Sequence, residues 1–337
     1  MSFFVFIIIN NIFVNIINLG DYMTEITIGI PRSLHYYYYG NLLKNFFENL
    51  DCNVIISPKT NKEIMDNGIK YSYDEMCLSL KNYIGHINYL KDKCDYIVIP
   101  RIDNYGSNNQ TCTNFLALPD IINNLFDIKI LDYNIDYMHN ENELKGFINI
   151  GKQLKFSYTQ IVNAYNKAKI EDMNYKDRLI RQNQNKLKSN KLKILLVGHP
   201  YNLYDEYIGK PIIKMLEKDD IEIIYSNLFN SNKSSRLSKR LSKNLYFKYN
   251  KENIGSIEIA KDKVDGIIFI SAFPCGPDSL VNELVFRKLK IPYLNLIIDD
   301  LDSLTGFETR IESFIDIVKE RVKWWKKSPF QWWETMI

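Results

Sequence analysis

The sequence predicts an α/β protein with two parallel-sheet domains joined by a helical connection, and three observations lead there. From Met23 onward, short apolar runs alternate with longer amphipathic stretches, the pattern of strands linked by helical crossovers. The run Gly266–Ala272 (GIIFISA) is continuously apolar, as a strand covered on both faces must be. Between Glu141 and about Lys188 the chain is charged, periodic and free of proline, which divides two α/β units by a long helical segment.

In order, Ile26–Ile30 reads as the first strand and Leu34–Leu50 as an aromatic-rich helix. Asn53–Ser57 is the second strand, followed by a short helix opened by Thr60. Tyr73–Lys91 is a helix with Cys77 near its start, and Asp95–Pro100 is a third strand leading into the polar loop Asp103–Thr113. Leu118–Leu125 is helical and Lys129–Asp132 a short strand. The second unit has strands at Ile194–Val197, Ile221–Tyr225, Gly266–Ile270 and Tyr293–Ile298, and a last helix over about Phe307–Trp325. The expected organisation is an N-terminal domain over 23–140, a helical connection over 141–190 and a C-terminal domain over 191–337. Both sheets are expected to be of the Rossmann or flavodoxin-like kind, with the functional site in the cleft between them.

Composition excludes several classes. With 43 basic and 40 acidic residues the net charge is +3, which gives no case for a nucleic-acid partner. The basic stretch Lys233–Lys248 is diluted by Ser and Asn and reads as a solvated connection. Five irregularly spaced cysteines make no disulfide scaffold and no C-x-x-C pair, so reduced thiols in a cytoplasmic protein are expected. No glycine-rich phosphate loop occurs, which disfavours a nucleotide-binding enzyme. Residues 2–19 are strongly apolar but lack a basic flank and a cleavage site, and asparagines interrupt them. They are expected to be a leader ahead of a true start at Met23, with a membrane tether as the alternative.

Cys275 stands in Phe-Pro-Cys-Gly-Pro-Asp-Ser (273–279), a turn at the carboxyl end of a strand, where open sheets place ligands. Gly276 lets the backbone come close to something bulky, and Asp278 and Ser279 can cap the next helix. Cys77 at a helix start and Cys112 in a polar loop share this kind of setting, whereas Cys52 and Cys94 flank strand starts as packing residues. Three thiolates from both units could bind a soft metal centre, and three protein sulfurs on an iron–sulfur cluster leave one iron for another ligand. The competing reading is inert thiols in a metal-free ligand-binding protein, or zinc. Glu75 is a candidate proton donor, with helix-end stabilisation as its alternative. His86 and His199 are candidate acid–base or outer donors, with polar packing as theirs. Arg32 and Arg101 each follow a proline at a strand end and could bind an anionic substrate, or sit in ion pairs. The run Tyr36–Tyr39 reads as core and cleft wall.

The segment Gly29-Ile-Pro-Arg-Ser-Leu-His-Tyr-Tyr-Tyr-Tyr39, with Phe46-Phe47 and Ser57-Pro-Lys-Thr-Asn61, resembles the domain found beside the ATPase activators of 2-hydroxyacyl-CoA dehydratases. So do Asp74-Glu-Met-Cys-Leu78, Lys81, Gly85-His86 and Tyr96-Ile-Val-Ile-Pro-Arg101. In the second half Gly198-His-Pro-Tyr-Asn-Leu-Tyr-Asp205, Cys275-Gly-Pro-Asp-Ser279 and Glu308-Thr-Arg-Ile-Glu312 look similar to it too. The likeness runs from Ile26 to Val318 and extends more distantly to the dehydratase subunits and double-cubane-cluster reductases. It implies a low-potential [4Fe-4S] cluster on Cys77, Cys112 and Cys275, or a fused double cluster where two subunits face each other. It also implies an electron donor, an ATP-dependent activase or ferredoxin, and a small substrate such as an acyl-CoA thioester. A non-catalytic electron-transfer subunit and a homo- or heterodimer are compatible with it. Asp299-Asp-Leu-Asp-Ser303 departs from the Asp-Glu-His of relatives, which puts an acid–base role there in doubt. No ATPase module is evident, so ATP-driven electron injection needs a separate partner.

Overall fold

The computed structural model describes residues 26–299 and 304–327, the side chains of 304, 305 and 325–327 excepted. The expected leader (1–22), residues 300–303 of the departing segment, the side chain of Trp325, and Trp332 and Trp333 lie outside the described residues.

The N-terminal lobe carries β1 (Thr27–Ile30), β2 (Asn53–Ile56), β3 (Tyr96–Val98), β4 (Arg101–Asn104), β5 (Ile130–Leu131) and β6 (Asn134–Asp136). Four of these form a parallel sheet in the order β2-β1-β3-β5, and β4 pairs with β6 in a separate parallel ladder. The C-terminal lobe carries β7 (Lys193–Val197), β8 (Glu222–Tyr225), β9 (Gly266–Ala272) and β10 (Tyr293–Ile298), all parallel in the order β10-β9-β7-β8. All seven residues of β9 are buried, as its unbroken apolar run requires. In both sheets the chain steps outward one way and then the other from a central pair. A crevice therefore opens at the carboxyl ends of β1/β3 and of β7/β9.

The connection is two helices, Glu143–Gln153 and Tyr158–Lys186, rather than one. Ser157 restarts the chain with a capping box in which its hydroxyl and the Gln160 side chain satisfy each other's backbone. The second helix packs along Tyr36–Glu48, and buried Asn183 at its far end grips the C-terminal lobe. Its amide donates to Tyr225 O (3.1 Å) and Leu228 O (3.2 Å) and accepts from Tyr225 N (2.9 Å). One helix thus bolts both lobes together.

Several local expectations shift. The helix expected over Tyr73–Lys91 spans Leu78–Leu90, so Cys77 is the residue before it and not within it. Asn61, not Thr60, caps Lys62–Lys70, accepting from Ile64 N at 2.9 Å, because the Thr60 hydroxyl is committed to Asp205. The basic stretch is not a plain solvated connection: Asn230 caps a helix at Ser231–Leu237, and Lys248 opens another running to Ala260. Among the described residues no helix is long and apolar enough to cross a membrane.

Candidate functional site

Cys77, Cys112 and Cys275 line one cavity of about 40 Å³ between the lobes, together with Leu34, Phe115, His199, Tyr201, Tyr249 and Asn250. The crevice geometry explains the convergence. Leu34 follows β1, His199 follows β7 and Cys275 follows β9, so the switch points of both sheets face the same space. Backbone bonds between lobes fix the rims. Leu78 N donates to Phe273 O (2.8 Å), tying the Cys77 turn to the Cys275 turn. Gln110 N donates to Tyr246 O (3.1 Å) and Lys248 N to Gln110 O (3.0 Å), which holds the Cys112 loop against the second lobe.

Each thiol occupies the same backbone role. Cys77, Cys112 and Cys275 are the extended N-cap residues of helices Leu78–Leu90, Thr113–Leu116 and Gly276–Phe286. Cysteine is not a strong capping residue, and none of the three makes a full side-chain capping bond. Nearby amides (Leu80 and Ser79, Asn114 and Phe115, Asp278) nevertheless favour the thiolate at each sulfur. Burial works the other way and dominates: it pushes the Cys77 thiol up to about 11, and raises Cys112 and Cys275 as well. The thiols are close enough that Cys77 and Cys112 both add to the upward shift of Cys275.

Asp278 was expected to cap the following helix, but it is buried beneath the Cys275 turn. Its Oδ1 meets His199 Nε2 at 3.0 Å and accepts from Asn250 Nδ2 at 2.7 Å. Burial opposes ionisation, yet His199, Asn250 and the Cys275 thiol hold its carboxyl below the usual range. The His199 ring stacks on Tyr201 (4.8 Å between centroids) and its Nδ1 faces the Tyr38 hydroxyl at 3.4 Å. His199 is thus at the cavity, oriented on both sides.

The remaining candidates are elsewhere. His86 is fully buried in a relay between lobes: Nδ1 meets Ser57 Oγ (2.8 Å) and Nε2 meets Thr60 Oγ1 (3.0 Å). Thr60 donates to Asp205 Oδ2 (2.5 Å), which also accepts from Asn82 (2.9 Å). Burial and Arg32 lower His86 to about 3, so it is a neutral clasp and not an acid–base group at the thiols. Arg32 belongs to the same clasp through Nε to Ser57 O (3.0 Å), and its guanidinium lies over Tyr36. Arg101 is held bidentate by Asp120 (2.5 and 2.8 Å), so it is occupied in an ion pair. Glu75 is exposed in the turn before Cys77 and does not line the cavity. Cys52 and Cys94 pack in the core, as their positions beside strands suggested.

Asn250 and Tyr249 carry no motif, and their helix, Lys248–Ala260, begins where the stretch read as a connection ends. In the sequence Asp278 reads only as a local cap for the helix after Cys275. What it does depends on a contact with His199, 79 residues away in the chain.

Soft thiol donors, amides favouring thiolate, and the surroundings of Gly276 suit an anionic cluster. A Cβ at Gly276 would meet nothing within 4 Å, so a group larger than the cavity can extend outward past it. Among the described residues no group of three or more His, Cys, Asp or Glu side chains is placed to hold a single metal ion. The expected metal set of Cys77, Cys112 and Cys275 is therefore not a preformed single-ion site. Sulfurs bound to separate irons of a cluster stand farther apart than ligands of one ion.

The family profile described as the CoA enzyme activase uncharacterised domain matches residues 27–228, which include Cys77, Cys112 and His199 but not Cys275. No curated protein matches the chain. Solved structures with similarity include a zinc-bound variant of AdcAII from Streptococcus pneumoniae (12% identity, 88% of this chain and 98% of that one, TM-score 0.27). Zinc-bound AdcA from the same organism matches at 11% over 88% of this chain and 57% of its own, TM-score 0.27. The laminin-binding protein Lmb of Streptococcus agalactiae matches at 10% over 87% and 98%, TM-score 0.25.

Proposed function

Because the chain belongs to the family of the CoA enzyme activase uncharacterised domain, we propose that it is an iron–sulfur component of acyl-CoA chemistry, with a [4Fe-4S] cluster held by Cys77, Cys112 and Cys275. The observation that carries this reading is that three thiols far apart in sequence, from both lobes, line a single cavity. When bound, such a cluster takes up and hands on single electrons. The chain's own residues prepare the place. Helix-start amides offset negative charge on sulfur, Phe115, Tyr201 and Leu34 limit water, and Asp278 with His199 fixes the Cys275 turn. The electron donor would be a separate protein, an ATP-dependent activase or a ferredoxin, and the acceptor a small molecule such as an acyl-CoA thioester.

Anaerobic expression followed by iron and sulfide quantitation tests the reading. The wild type is expected to be coloured and to contain both elements, and Cys112→Ala to lose nearly all of both. A colourless wild type, or full colour in the variant, overturns it. A coloured protein that binds no thioester would instead identify an electron-transfer subunit without catalysis.

A further inference from the structure

A second and larger cavity lies behind the thiols. It has a volume of about 720 Å³ and is walled by Tyr39, Tyr105, Tyr175, Tyr204 and Tyr249, at the junction of both lobes and the long connecting helix. That volume is in the range of small-molecule sites, roughly 300–1,000 Å³. Tyr249, stacked on Tyr38 at 4.2 Å, lines both this space and the thiol cavity. The wall is pre-ordered: the Tyr105 and Tyr249 hydroxyls meet at 2.8 Å, and Tyr39 joins the same chain. Asp172 lines the cavity while only 1% exposed. Its Oδ2 accepts from Lys176 (2.7 Å), but its Oδ1 is buried without a hydrogen-bond partner. An unpaired buried acceptor is costly unless a donor reaches it.

We propose that this cavity binds a planar, uncharged nitrogen heterocycle, its faces against the tyrosines and an N–H donated to Asp172. A cationic ligand fits less well, because the Lys176 and Lys248 ammonium groups already lie over Tyr39 (5.9 Å) and Tyr105 (5.2 Å). An anion would meet Glu143, Asp172 and Glu252. A purely apolar ligand would leave Asp172 unsatisfied. The absence of a glycine-rich phosphate loop from the sequence also puts recognition on the ring. Two sources share this chemistry, a purine nucleoside and an isoalloxazine ring.

Titration of the full-length protein with adenosine and, separately, with riboflavin distinguishes them, by calorimetry and by quenching of flavin fluorescence. One of the two is expected to saturate a single site. Tyr175→Ala, which removes a ring that is 41% exposed and so leaves the core intact, is expected to weaken binding about tenfold. The fully methylated analogue lacking the donor, N6,N6-dimethyladenosine or N3-methylriboflavin, should bind about tenfold more weakly, and Asp172→Ala should erase that difference. Cys112→Ala should bind normally, so the inference stands or falls apart from the cluster. It is overturned if neither compound saturates up to about 1 mM, or if binding ignores both cavity variants.

Discussion

His86 and Asp205 show how a polar residue can be conspicuous in sequence and serve cohesion. Asp205 is completely buried, and burial pushes its carboxyl upward, yet it accepts from Thr60, Asn82 and the backbone of Tyr207 and Ile208. Asp205→Ala leaves those donors unpaired across the lobe interface and is expected to cost about 3 kcal/mol or more, read as a fall in the urea midpoint. Glu75→Ala, in the exposed turn, should stay within about 0.5 kcal/mol of wild type. The thiols make a prediction of another kind. Burial holds Cys77 protonated to about 11, so binding the proposed cluster would expel its proton. Iron uptake by the metal-free protein should therefore release protons and strengthen as pH rises. Titration in weakly buffered solution measures this, and uptake without acid release would contradict it.

At the scale of elements, the helix that starts at Cys77 is positioned by two glycines. Gly68 on Lys62–Lys70 and Gly85 on Leu78–Leu90 face each other so closely that a Cβ at Gly68 would lie 2.1 Å from Lys81 O, and one at Gly85 2.0 Å from Ile64 O. Backbone cannot yield as a flexible side chain does, so the helices must part. Gly85→Ala is expected to cost about 1–3 kcal/mol and to shift the Cys77 turn off Phe273. Its iron content should fall more than that of a destabilised control such as Asn183→Ala, whose partners Tyr225 and Leu228 do not line the thiol cavity. Equal iron loss in both would remove the positioning role. The sequence alone assigns Gly68 and Gly85 no packing role, because the partner of each is another helix's backbone, which no local pattern reveals.

Over the whole molecule, the parts legible in the sequence were those with a local cause. The unbroken run of β9 announced a doubly covered strand, and the proline-flanked Cys275 announced the turn at its carboxyl end that lines the cavity. The fates of Asp278, His86 and Arg101 were decided by partners 79, 29 and 19 residues away, so spacing could not assign them. The same burial that hid those partners sets how the fold responds to acid. His35, 2% exposed against Phe115 with neither ring nitrogen bonded, and His86 are both lowered to about 3 by burial. Below about 6.5 the unfolded chain takes up protons that the native imidazoles refuse. Each therefore supports the fold above that pH, and the support drains away as pH falls toward 3. The slope is roughly 1.4 kcal/mol per pH unit for each imidazole. Asp205, shifted upward, slopes the opposite way once the pH reaches the carboxylate range. Two imidazoles together should remove roughly 3 kcal/mol between pH ~6.5 and ~5, measured as urea midpoints across that window. His35→Phe, which keeps a ring against Phe115, should halve the slope, and an unchanged slope would show that His35 takes its proton without unfolding.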